Sequence, residues 1–131
     1  MERLHVLPLF FIDMRIVVIE SADKENGKIP HAEISQMFES HAKEGDFWIL
    51  PEVFDTGWNI NGETEISGGK NFVFFQQNAL KYKISVCGSY YEQADGKFYN
   101  RFCVVTKDGR SFFAGKRHLF GVFEKTSVVP G

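Results

Sequence analysis

Apolar positions along the chain alternate between a strand-like and a helix-like spacing. Residues 15–20 read RIVVIE, a nearly continuous β-branched run, which is the pattern of a strand buried on both faces. A polar stretch closing at Gly27 follows, and Pro30 stands where a helix would begin. Ile34, Met37, Phe38 and Ala42 then fall close to i, i+3, i+4 and i+8, giving one apolar stripe that Gly45 would terminate. Residues 47–50 form a second, wholly apolar strand, followed at once by Pro51 and Glu52. The segment 55–69 is rich in Asn, Gly, Thr and Ser and reads as a functional loop. A second helix is predicted from near Ser67, with Phe72, Phe75, Ala79 and Tyr82 on one face, and strand character returns at 84–90. Asp95-Gly96 and Lys107-Asp108-Gly109 are turn signals that separate a long strand at 98–106 from a fifth strand at 111–114. Residues 115–131 have no clear period.

Strand and helix in alternation, then meandering strands, predict an α/β (α+β) fold: a mixed sheet with two helices on one face. In open sheets of this kind ligand sites gather at the carboxyl ends of strands, and Glu52 stands immediately after the second strand. Residues 1–13 precede the first clear pattern. They read equally as an upstream extension or as a misplaced start, and their composition does not choose between the two. The short apolar stretch at 6–12 is interrupted by Pro8, lacks a basic flank, and is too short to span a bilayer.

At 131 residues and 44% hydrophobic content, the chain has the size and composition of one globular domain. Fourteen phenylalanines call either for an aromatic-rich interior or for a surface normally covered by something else. A net charge of -2 with mixed signs and no basic run argues against nucleic-acid or membrane-surface partners. Two cysteines, Cys87 and Cys103, give neither a disulfide framework nor a zinc pattern, so reduced thiols and a cytoplasmic setting are expected. Both lie inside apolar strand runs and are expected to be small buried core residues.

Three places could carry chemistry. Glu52, a carboxylate at a strand end beside Phe54 and Thr56-Gly57, suits a general base, against the plainer reading of an exposed loop glutamate. Lys116, in Gly-Lys-Arg-His-Leu-Phe after the fifth strand, could stabilise an oxyanion, against the plainer reading of a solvated basic turn. Asp55-Thr56-Gly57 matches the catalytic turn of aspartic proteases, but those enzymes are nearly all strand and this chain carries two helical stripes. His5, His31, His41 and His118 show no ligand spacing and Gly68-Gly69-Lys70 is no phosphate loop, so neither metal nor cofactor is expected.

Taken together and in order, these segments resemble the nitrilase superfamily of carbon-nitrogen hydrolases. Trp48-Ile49-Leu50-Pro51-Glu52 is similar to the family's first motif, and Phe54 with Thr56-Gly57 resembles its omega-amidase-like branch. Cys87-Gly88-Ser89, Tyr99-Asn100-Arg101, Asp108-Gly109 and Lys116 to Phe120 continue the match. The resemblance implies Glu52 as general base, Lys116 as oxyanion stabiliser and Glu124 as an additional active-site glutamate. It implies Phe54, Tyr99, Asn100, Arg101 and His118 around a substrate pocket for a small amide of a dicarboxylic acid. It further implies half of a four-layer α-β-β-α sandwich. The family's nucleophilic cysteine belongs in a motif after a strand following Pro130-Gly131 and has no counterpart here. Residues 14–131 are therefore expected to be a truncated domain, inactive alone, that associates with itself or with another chain through uncovered apolar surface. A non-catalytic remnant is the alternative.

Overall fold

The computed structural model describes residues 3–7, 14–21, 27–58, 65–66, 69–119 and 127–131. Its elements are β1 (Arg3–Leu7), β2 (Ile16–Glu20), α1 (His31–His41), β3 (Phe47–Ile49), β4 (Glu65–Ile66), α2 (Lys70–Tyr82), β5 (Ser85–Ala94), β6 (Lys97–Val105) and β7 (Ser111–Gly115). They form one seven-stranded mixed sheet in the order β1-β2-β3-β5-β6-β7, with β4 pairing alongside the far end of β5. β2, β3 and β5 are mutually parallel, whereas β1 and the β5-β6-β7 meander are antiparallel. The parallel strands require crossovers, and α1 and α2 supply them.

Pairing aligns two crosswise rows of side chains. Val17, Trp48, Val86 and Val105 sit opposite one another across four strands, and all are buried. One residue along, Val18, Ile49, Cys87, Val104 and Phe112 form the neighbouring row on the other face. Both helices cover the first row. Ile34 and Phe38 of α1 and Phe74, Phe75 and Ala79 of α2 join it in a single core, with Phe38 packed edge-on to Trp48 at 4.9 Å between centroids. The second face carries no helix among the described residues, and there Phe102 and Phe112 stand 42% and 55% exposed.

The predicted mixed sheet with two helices on one face is what forms. Three details differ from the sequence reading, the first being β4, a two-residue strand inside the segment 55–69 that reads as a loop. Within α2 the buried side chains are Asn71, Phe74, Phe75, Asn78 and Ala79, so the inward stripe extends to Phe74 and leaves Phe72 at the flank against Phe113. Asn71 itself is buried and bonded to two part-buried polar partners, Asp55 and His31. Arg3–Leu7, assigned no structure from the sequence, adds an antiparallel edge strand whose side chains are mostly exposed, with His5 Nε2 2.6 Å from Glu20 Oε2. An edge strand with little buried surface leaves little hydrophobic pattern to read.

Beneath the start of β3, Asp46 is a buried carboxylate with four donors. Arg15 reaches it through Nε at 2.9 Å and Nη2 at 2.6 Å, the Lys43 N–H at 2.8 Å and Trp48 Nε1 at 3.1 Å. Burial opposes its ionisation, but the hydrogen bonds outweigh that and hold its carboxyl below the usual range. No helix among the described residues is long and apolar enough to cross a membrane.

Candidate active site

Glu52 owes its position to the end of β3. The Leu50 N–H donates to the Cys87 carbonyl at 2.8 Å, so parallel pairing runs to the last residue before Pro51. A turn over 52–58 follows. Val53 adopts a left-handed backbone (φ 48°), unusual for a β-branched residue. Its N–H donates to Ser89 Oγ at 3.0 Å, its carbonyl accepts the Gly57 N–H at 2.7 Å, and its side chain packs with Tyr91 and Val128. Those contacts hold a costly conformation that presents Glu52 beyond the sheet.

The far side of the same turn is tied to both helices. Asn71 Nδ2 donates to Asp55 Oδ2 at 2.7 Å, and His31 Nε2 donates to Asn71 Oδ1 at 2.6 Å while its ring stacks on Phe74 at 4.1 Å. The Ile29 N–H also donates to the Phe54 carbonyl at 2.7 Å. Asp55 is thus an anchor of the turn. The sheet with its two helices is not an all-strand protease fold.

Lys116 follows β7. Its N–H donates to the Asn100 carbonyl at 2.9 Å, and its carbonyl accepts the Gly131 N–H at 3.0 Å. Backbone crowding at this point explains Gly115, because a Cβ there would lie 2.6 Å from the Gly131 Cα. From this clamped backbone, Lys116 Nζ reaches Glu52 Oε1 at 2.6 Å, joining residues 64 positions apart. Asn100 Nδ2 donates to the same oxygen at 2.8 Å. The Trp58 ring lies 5.6 Å from the ammonium, within range of a cation-π contact.

Glu52, Asn100 and Lys116 line a cavity of about 360 Å³, together with Ser89 and apolar surface from Leu50 and Phe102. A carboxylate and an ammonium sharing one wall of a largely apolar pocket can accept a proton and stabilise an oxyanion on one bound molecule. The remaining expected site residues lie elsewhere. Tyr99 and Arg101 flank Asn100 on a strand and so face the opposite side of the sheet, where Arg101 Nη2 pairs with Glu92 Oε1 at 3.1 Å and stacks over Tyr99. Phe54 is fully buried among His31 and Phe75 in the helix-side core. His118 is exposed and does not line the cavity. Glu124 lies outside the described residues.

Ser89 and Trp58 are two contributors that the sequence reading did not place at the site. An aromatic residue left exposed in a polar loop was the available signal for Trp58; for Ser89 it was the Cys87-Gly88-Ser89 segment of the family resemblance. Neither thiol belongs to the site. Cys87 and Cys103 are buried, and burial together with the adjacent Cys103 pushes the Cys87 thiol up to about 12. No cluster of metal-ligating side chains occurs among the described residues.

Comparison with curated proteins finds no match. Among solved structures the chain is similar to a CN-hydrolase superfamily protein from Xanthomonas campestris with an arsenic adduct in its active site. The two are 26% identical with a TM-score of 0.63, over 69% of this chain and 35% of that one. It shares its fold with an N-terminal amidase solved with a Gln-Gly peptide (19% identity, TM-score 0.67, 88% of this chain and 30% of that one). It shares it too with a carbon-nitrogen hydrolase from Helicobacter pylori (21%, 0.60, 77% and 38%). The chain therefore spans only 30% to 38% of the length of these proteins. The family model for carbon-nitrogen hydrolase matches residues 18–131, and that match makes the chain a member of the carbon-nitrogen hydrolase family, within the nitrilase superfamily.

Proposed function

We propose that this chain supplies the general base and the cation of a thiol-dependent amidase, and that the nucleophilic cysteine comes from polypeptide outside these 131 residues. The observation that carries the reading is the 2.6 Å contact of Lys116 Nζ with Glu52 Oε1 at the wall of the cavity. In the proposed reaction Glu52 takes the proton of the thiol as its sulfur bonds to the amide carbon. Lys116 stabilises the tetrahedral oxyanion. The C–N bond then breaks, the amine leaves with the proton held by Glu52, and water, deprotonated by Glu52, hydrolyses the thioester.

Burial of Cys87 and Cys103 supports an external thiol, since only a thiolate attacks and Cys87 is far from ionised at neutral pH. The sheet face bearing Phe102 and Phe112 supports association with the segment that carries it, or with a further copy of the chain. Phe54 and Thr56-Gly57 favour an omega-amidase-like substrate, a small amide of a dicarboxylic acid, and a cavity of about 360 Å³ accommodates a molecule of that size. A cytoplasmic setting fits the reduced thiols.

The test is co-expression with the C-terminal half of an intact family member, followed by assay of ammonia release from a small dicarboxylic acid amide. The pair is expected to hydrolyse it and the isolated chain is not. Glu52→Ala or Lys116→Ala should each lower the rate of the pair by at least about 100-fold. Activity in the isolated chain, or a pair indifferent to both substitutions, refutes the reading.

A further inference from the structure

Asn100 lies where the two charged groups of the site meet. Its Nδ2 donates to Glu52 Oε1, its carbonyl accepts the Lys116 N–H, and Lys116 Nζ touches that same Oε1. The residue is 2% exposed in the middle of β6, paired with Tyr91 of β5 on one side and bonded to the Lys116 backbone on the other. Glu52, by contrast, is 40% exposed on a turn beyond the sheet. Both contacts converge on Oε1, and Oε2 has no hydrogen-bond partner among the described residues.

From this we infer that Asn100 is a positioning residue that gives the two oxygens of Glu52 different tasks. With Lys116 it holds Oε1, and it thereby leaves Oε2 as the acceptor for the proton of the attacking thiol. The inference rests on the assignment of Glu52 and Lys116 to amide hydrolysis made above. A neutral donor suits the task. Lysine is a point charge on a flexible stem that either carboxylate oxygen satisfies, so Lys116 alone does not fix the plane of the carboxylate. An amide N–H on a buried strand adds a direction to that contact without adding charge. Aspartate at this position would set a like charge against Glu52, and alanine would leave the turn to orient the base unaided.

A residue that merely shapes the pocket and one that orients the base separate in their kinetics. In the reconstituted pair, Asn100→Ala should lower kcat by about 10-fold to 100-fold, the factor one hydrogen bond to a charged group carries, with KM within about 2-fold. Asn100→Asp, which keeps the side-chain volume, should lower kcat at least as much. A raised KM with kcat retained would make Asn100 a wall of the pocket and overturn the inference. Glu52→Gln is the control: if it stays active the amidase assignment itself fails, whereas an inactive Glu52→Gln beside a fully active Asn100→Ala sinks only the role of Asn100. A second measurement uses the 131-residue chain alone. In pulse acylation followed by peptide mass spectrometry, with the other lysines as internal references, Asn100→Ala should raise the labelling rate of Lys116 from its wild-type value toward that of Glu52→Gln, because a Glu52 no longer held by Asn100 turns away from the ammonium. Circular dichroism verifies the fold of each variant, and an unchanged Lys116 rate in folded Asn100→Ala overturns the inference whatever the pair does.

Discussion

Replacing Asp46 with alanine should destabilise the chain by about 3 kcal/mol, more than any single surface change is expected to cost. The magnitude follows from what the four donors lose. Trp48 is fully buried, and its Nε1–H would be left without an acceptor, a penalty of about 1–3 kcal/mol. Arg15 would lose a bidentate partner but is 28% exposed and keeps the His41 carbonyl at 2.7 Å, so water and that carbonyl recover much of the loss, leaving about 1–2 kcal/mol. The Lys43 N–H, near the surface, adds little. Urea unfolding followed by tryptophan fluorescence reads the difference as a shift in midpoint at constant slope. The pH dependence gives an independent check. Because hydrogen bonds hold the folded carboxyl below its ordinary value of 3.8, its stabilisation is complete above that value and is lost as pH falls through the lower, folded one. Asp46→Asn should therefore flatten the acid limb of the stability profile. A loss under about 1 kcal/mol for the alanine variant, or an acid limb unchanged in the asparagine variant, would contradict the role of Asp46 as a buried acceptor.

Two further outcomes are expected. Iodoacetamide should label Cys87 and Cys103 slowly in the native chain and promptly in urea, because burial keeps both thiols covered and the Cys87 thiol protonated; fast native labelling of Cys87 would contradict its place in the structure. Gly88→Ala should cost about 1–3 kcal/mol, since its Cβ would meet Leu50 Cβ at 3.0 Å and Phe75 Cζ at 3.2 Å in a packed core, and a variant as stable as wild type in urea would show that the contact relaxes freely.

Much of the frame was legible because the inward face of each element repeats at its own period. RIVVIE became β2, and Ile34 and Phe38 became the inner face of α1. The turns at Asp95-Gly96 and Gly109, all in left-handed conformations, fell where their residue types require. The register of α2 escaped because Asn71 turns inward to Asp55 and His31, residues 16 and 40 positions away, and no local pattern reports a polar partner at that distance. The pairing of Glu52 with Lys116 was legible only through motif resemblance, since nothing in either segment alone implies the other. The run Tyr99-Asn100-Arg101 was readable in principle: three successive residues of a strand cannot all face one pocket, and alternation assigns Asn100 to one side and its neighbours to the other.

The two crosswise rows of the sheet carry a further consequence. A slip of one residue in strand pairing exchanges the faces of a strand, and most sheets resist it because the exchange would bury polar side chains. Here the resistance is weak at the centre. Sliding β3 by one residue would trade Trp48 for Ile49 or Phe47, and sliding β6 would trade Val105 for Val104, apolar for apolar in each case. Specificity must instead come from shape, turns and polar partners: the two-residue Asp95-Gly96 turn that fixes β5 against β6, the bulk of Trp48 fitted to Phe38, and the polar residues Asp46, Ser89 and Asn100 whose partners exist in one alignment only. Ser89 and Asn100, which line the pocket, are thus also among the groups that tell the chain which alignment of its strands is the right one.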